Sequence, residues 1–185
     1  IERVAAALPR LDILVNNAGG NFASADEYQP EVFERALRVN LTGTFDVTRH
    51  AIPHLISAGG GAIINMSSAA GRFGYPNRSP YSATKWALIG LTKTLAMELG
   101  AHSIRANAIA PGPVAGERAD RVFQGRAQQS GRSVEEEKQL GLASMSIRQL
   151  VEPADIAQLA VYLASDAAKL ISGQVIPIDG DMQRA

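Results

Sequence analysis

The chain has 185 residues, 18 basic against 18 acidic, with three histidines and no cysteine. With 46% hydrophobic and 19% charged residues, it has the make-up of one globular domain, not of a disordered tail, a collagen-like repeat or a coiled coil. Zero formal net charge argues against nucleic acid or an anionic membrane held by bulk electrostatics; the missing cysteines exclude disulfides, thiolate metal sites and a cysteine nucleophile; and no apolar run approaches the roughly 18 residues of a membrane span.

Ile1–Arg10 has neither the basic head nor the apolar centre of a signal peptide and reads as the last turns of a helix. Leu11–Val15 is a short apolar run closed by Asn16-Asn17-Ala18-Gly19-Gly20, the pattern of a buried strand entering a turn. Pro30 suits the first turn of a helix, and apolar residues from Val32 through Leu37, Leu41 and Phe45 to Ile52 recur at three- and four-residue spacing. The spacing predicts one helix over 31–57, with Pro53 expected to kink or shorten its end. Gly59-Gly60-Gly61 breaks it, Ala62–Met66 is a second strand, and Ala69–Pro80 is a loop rich in Gly, Pro and Arg. A helix over 81–99 follows, with Ala83, Ala87, Leu91 and Leu95 as its apolar stripe. Ile104–Ala110 is a third strand; Ala115–Arg148 is polar with weak periodicity; Pro153 opens a last helix to about Ser165; and Gln174–Ile178 is a last strand before the Asp179-Gly180 turn. This alternation makes a parallel sheet with helices on both faces. A helix entering the first strand implies an earlier strand in the same sheet, so the chain is expected to be the C-terminal portion of a single, longer α/β domain.

Tyr81 and Lys85 stand four apart near a helix start and share a face. Alone, the pair reads equally as a solvated surface. Ser67 and Ser68, however, end the second strand at the edge where open α/β sheets bind ligands, and Asn40 sits inside a long helix where asparagine has no propensity reason to be. A phenol is a poor base near neutrality, and an ammonium beside it favours the phenolate. Such a pair can take a proton from an alcohol or give one to a carbonyl oxygen, a serine hydroxyl can hold that oxygen, and the electron acceptor must come from a cofactor.

Asn16-Asn17-Ala18-Gly19, Asn40, Ser68, Tyr81-Ser82-Ala83-Thr84-Lys85, Pro111-Gly112-Pro113-Val114 and a tail running through Ser172-Gly173-Gln174 to Asp179-Gly180 occur in this order. Together they resemble the single-domain branch of the short-chain dehydrogenase/reductase family over essentially the whole chain. The resemblance implies a doubly wound, Rossmann-like three-layer fold and NAD(P)-dependent interconversion of a secondary alcohol with a ketone or aldehyde. It makes Tyr81 the general acid/base, Lys85 its pKa-lowering neighbour and ribose ligand, and Ser68 the group that polarises the substrate. Ser68 is preferred to Ser67 because the family's serine lies thirteen residues before the tyrosine. Asn40 becomes the residue whose main-chain carbonyl holds a relay water. Asn17, Ala18 and Gly19 line the adenosine side of the dinucleotide, and Pro111, Gly112 and Val114 pack on the nicotinamide. The resemblance further implies a substrate-covering loop over about 116–148, a homotetramer or homodimer built through the helices at 31–57 and 81–99 with Ala83, Ala87 and Gly90 at the contact, and a cytoplasmic setting. Its substrates include sugars and 3-oxoacyl thioesters.

Two departures stand out. Gly116 occupies the place of a carboxamide-binding threonine, and neither the glycine-rich phosphate loop nor the residue separating NAD from NADP occurs in this chain. The cofactor is therefore NAD or NADP. A non-catalytic cofactor-sensing relative and an inactive truncated fragment are the alternatives. His50 and His54 lack a third partner, so no metal is expected. Glu135-Glu136-Glu137 reads as solvated, Trp86 as helix packing, and Arg72 and Arg78 as loop residues or contacts to a polar or anionic substrate.

Overall fold

The computed structural model describes residues 2–21 and 28–183; Ile1, expected in the opening helix, lies outside them. Four parallel strands form one sheet: β1 (Ile13–Asn16), β2 (Gly61–Met66), β3 (Ile104–Pro111) and β4 (Val175–Ile178), in the order β1-β2-β3-β4. The helices are α1 (Glu2–Ala7), α2 (Pro30–Ala36), α3 (Gly43–Ser57), α4 (Ser79–Leu99), α5 (Glu117–Ser130), α6 (Val134–Leu142) and α7 (Pro153–Ala164). None of the described helices is long and apolar enough to cross a membrane.

Both faces of the sheet are covered because the strands are apolar in both directions. Ile63 faces α3 and α4, packing with Leu55, Leu95, Leu99, Ile104 and Ala106. Its neighbour Ile64 faces the other way, with Ile109, Leu163 and Ala168 under α7. Each such fully buried aliphatic side chain contributes about 1.5–3 kcal/mol relative to exposure. A smaller cluster of Ala69, Leu142, Met145 and Met182 ties α6 to the loops above the sheet. Arg105 caps α7 from β3: its guanidinium donates to Leu163 O at 2.6 Å and to Ala164 O and Ser165 O at 3.3 Å, matching a cation to carbonyls that the helix itself leaves unpaired.

A buried polar chain threads the α3–α4 face. Asn16 Nδ2 donates to Asn65 Oδ1 (2.8 Å) and Thr48 Oγ1 (3.0 Å), and Asn65 Nδ2 donates to Thr92 Oγ1 (2.9 Å). Asn16 and Asn65 are register partners on β1 and β2. Two strands and two helices are thus fixed to one another by groups that burial leaves no alternative partner.

Several elements differ from expectation. The strand expected at Leu11 starts at Ile13. The helix expected over 31–57 contains a π turn, Leu37–Thr42, between α2 and α3. The polar stretch expected as a loop holds α5 and α6; α6 is started by a capping box in which Glu136 N donates to Ser133 Oγ (3.2 Å) and Ser133 N to Glu136 Oε2 (2.8 Å). Glu137 is not solvated: buried at the α5–α6 junction, it accepts from Ser130 Oγ (2.6 Å) and Arg132 (3.1 Å), which hold its carboxyl below the usual range. On α4 the buried stripe is Thr84, Leu88, Thr92, Leu95 and Leu99, while Ala83 is exposed. Trp86, expected to pack, is 51% exposed.

Candidate active site

The C-terminal ends of β2 and β3 and the N-terminal turn of α4 open onto a cavity of about 730 Å³. α5 and α6 close its other side, Arg126, Leu140 and Gly141 being among the lining residues. Chain reversal at the strand ends places loops there, and Pro80 in the first turn of α4 sets that helix's start.

Ser68, Tyr81 and Lys85 all line this cavity. One turn of α4 separates the last two, and Lys85 Nζ lies 5.6 Å from the centroid of the Tyr81 ring. Lys85 is buried, and its Nζ donates to Met66 O at 2.7 Å. Burial first, and then the Arg118 guanidinium, lower its pKa from 10.5 to about 8; the ammonium form still predominates at neutral pH. The remaining two N–H donors of Lys85 meet no protein acceptor among the described residues.

The two serines separate clearly. Ser67 Oγ is buried and donates to Lys85 O at 2.9 Å, holding β2 against α4. Ser68 Oγ accepts from Ala70 N at 3.2 Å, starting a short 3₁₀ turn over Ala69–Gly71, and keeps its own proton to give.

Asn40 does not reach the cavity. It is fully buried in the π turn, behind the loop after β1. Its side chain pairs reciprocally with one peptide: Gly20 N donates to Oδ1 (2.8 Å), and Nδ2 donates to Gly20 O (2.9 Å) and Thr84 Oγ1 (3.1 Å). Its main-chain carbonyl accepts from Thr44 Oγ1 at 3.0 Å. A Cβ on Gly19 would stand 3.1 Å from Asn40 Oδ1 and 3.4 Å from Lys85 Nζ, so glycine lets this loop pass close to both.

Asn17, Gly19, Pro111, Gly112 and Val114 line the cavity, whereas Ala18 is exposed outside it. A Cβ on Gly112 would lie 2.9 Å from Asp179 Cα and Cβ, so the Pro-Gly turn packs flush on the segment after β4. Gly116 has φ +127° and precedes α5; a threonine could not take that conformation without strain.

Arg72 is not among the residues that line the cavity. It pairs with the buried Asp179 at 2.6 Å, over the Phe73 ring. Arg78 does line the cavity, and Arg118 and Arg126, which sequence reasoning did not single out as site residues, join it from α5. His50 Nδ1 donates to Asp46 O at 2.7 Å, and the described residues contain no group of three or more His, Cys, Asp or Glu fit for a metal.

A family model described as "Enoyl-(Acyl carrier protein) reductase" matches residues 1–183. The chain is 34% identical to a 3-oxoacyl-[acyl-carrier-protein] reductase of Thermotoga maritima over 183 residues, 98% of this chain and 70% of that one. It is 37% identical to a D-beta-hydroxybutyrate dehydrogenase of Cupriavidus necator over 171 residues, 91% of this chain and 66% of that protein. A solved NAD+-bound xylitol dehydrogenase superposes with a TM-score of 0.88 at 31% identity, covering 97% of this chain and 72% of that chain.

Proposed function

The chain belongs to the short-chain dehydrogenase/reductase family of NAD(P)-binding oxidoreductases, and we propose that its cavity interconverts a secondary alcohol and a ketone or aldehyde, with Tyr81 moving the proton and Ser68 holding the substrate oxygen. The observation that carries this reading is that Ser68, Tyr81 and Lys85 line one cavity, with Lys85 Nζ 5.6 Å from the centroid of the Tyr81 ring.

When bound, NAD or NADP supplies hydride acceptance or donation. The residues present fit its nicotinamide-ribose end: Lys85 has N–H donors to spare for hydroxyl oxygens, and Gly19 and Gly112 let the backbone lie close around the opening. In oxidation, the Tyr81 oxygen accepts the alcohol proton while the Ser68 hydroxyl donates to the same substrate oxygen; in reduction Tyr81 gives the proton to the carbonyl oxygen, and Ser68 still donates its hydrogen bond to it. The Lys85 ammonium favours the phenolate electrostatically. Asn40 acts from behind, fixing the Gly19–Gly20 loop and the Thr84 turn of α4. The Asn17 and Pro111–Val114 walls bracket the cofactor in this reading, and Ala18 contributes through the backbone path of its loop. The relatives' printed names cover 3-oxoacyl-[acyl-carrier-protein], a hydroxysteroid, D-beta-hydroxybutyrate and xylitol, and a secondary alcohol or ketone is the substrate class in this reading. A cytoplasmic, two- or four-copy protein belongs to the same reading, with the exposed Ala83, Trp86 and Gly90 on α4 free for helix contact.

Tyr81→Phe tests the mechanism. It removes one hydroxyl and should reduce turnover by about 10²–10⁴-fold, the usual general acid–base contribution, while changing cofactor affinity less than about twofold. Turnover within tenfold of the unsubstituted protein would sink the assignment.

A further inference from the structure

We propose that this cavity selects substrates carrying a carboxylate or phosphate, gripped by Arg78 and Arg126, with Arg118 adding its charge from the lining. The inference rests on the alcohol–ketone reading above and specifies its substrate.

The chain as a whole has no net charge, yet the charged residues lining its cavity are Arg78, Lys85, Arg118 and Arg126 against Glu117 alone. Glu117 is already engaged outward, with Arg121 at 3.5 Å. Arg78, Arg118 and Arg126 have no carboxylate within 4 Å among the described residues, unlike Arg72 with Asp179 and Arg132 with Glu137. Four cations concentrated in a concave, partly dehydrated space raise the local concentration of anions and repel cations.

The guanidinium groups are also held in place. Arg78 lies 5.2 Å from the centroid of the Tyr75 ring, and Arg126 lies 5.9 Å from that of Phe123. A Cβ on Gly141 of α6 would stand 2.9 Å from the Phe123 ring and 3.4 Å from Arg126 Nη1, so the glycine makes the slot in which ring and guanidinium sit. A ring this close to each guanidinium limits its motion without using up its N–H donors, which a two-oxygen ligand can take. The two arginines come from different elements, the loop before α4 and the helix α5, and line the same cavity as Ser68 and Tyr81. A neutral polyol uses none of this charge.

Two matched pairs of probes test the proposal on the full chain, with NADH or NADPH present: acetoacetate against its methyl ester, and dihydroxyacetone phosphate against dihydroxyacetone. In at least one pair the anion should bind ten or more times tighter by calorimetry. Arg126→Gln and Arg78→Gln should each weaken that anion about tenfold and the neutral partner less than twofold. Equal affinity within both pairs overturns the proposal without needing any variant. It is also overturned if the variants weaken ADP-ribose tenfold and leave the anionic probes unchanged, since the anion held would then be the cofactor's diphosphate. Hydride transfer that ignores the charge overturns this inference alone, whereas charge selection without hydride transfer overturns the catalytic reading alone.

Discussion

Lys85 carries two burdens that pull against each other: its ammonium sits in a buried position, and the proposed chemistry needs that ammonium charged. Its pKa of about 8 against 10.5 for the free side chain has a consequence for folding. Below about pH 8 both folded and unfolded chains hold the proton, and the cost of burying the charge is present in full. Between about 8 and 10.5 the unfolded chain holds more protons than the folded one, so this group's contribution to stability rises with pH. Urea melts of the natural protein and Lys85→Met at pH 7.5, 9 and 10.5 should therefore diverge, the natural protein gaining up to about 3 kcal/mol on the variant across the window. Parallel pH profiles would contradict the shift. The Tyr81/Lys85 spacing was legible in the sequence because one helix turn defines it; the strand end offered both Ser67 and Ser68, and only the family resemblance chose between them. The division of labour between Arg72 and Arg78 was not legible. Both stand in the same loop, and only the arrival of Asp179, 107 residues later, separates an ion-pair partner from a cavity residue.

Among the elements, the 3₁₀ turn after Ser68 is held from afar. Arg72 leaves that turn to meet Asp179 just after β4, and Asp179 also accepts from Met182 N and packs on Gly112. The serine turn, the Pro-Gly turn and the C-terminal segment thus share one buried carboxylate. Arg72→Met strands that charge and should cost about 2–4 kcal/mol, somewhat less than loss of a fully buried pair because the arginine is itself 31% exposed. Adding Asp179→Asn should recover part of the loss, and a single-variant cost under about 0.5 kcal/mol in urea titration would show the pair to be solvent-screened. The strand cores were readable from composition, since runs such as Ala62–Met66 admit little else. α5 and α6 were harder. Their surfaces are mostly polar, so hydrophobic period is weak there, and the legible signal was the Ser133-x-x-Glu136 capping box, which announces a helix start without any apolar stripe. The π turn left no trace, because Leu37 and Leu41 continue an α-helical period straight through it.

At the scale of the 185-residue chain, β1 is the end strand among the described residues, with Ile13 and Val15 about half exposed, at 46% and 45%. Val4 and Leu8 nearby are 60% and 45% exposed. An open parallel edge with apolar side chains invites pairing with other chains, and zero net charge offers little repulsion against it. At micromolar concentration this 185-residue chain should self-associate, and Ile13→Lys should lower the apparent mass in light scattering. A monodisperse species whose mass does not change with concentration or with that substitution would refute the edge as the cause. The same neutrality hides the arginines of the cavity: an average over the sequence says nothing about where charge collects.

The π turn at Leu37–Thr42 amounts to one residue too many in an otherwise regular rod. Removing a single residue there would restore the α-helical ladder, but it would also turn everything before it by about 100° and draw it in by about 1.5 Å. α2 would then present a different side to α4, and the amide of Asn40 would swing off the Gly20 peptide it mirrors. The irregularity therefore works as a spacer that makes chain length itself part of the site. Point substitutions in this stretch, Asn40 excepted, should be far better tolerated than insertions or deletions.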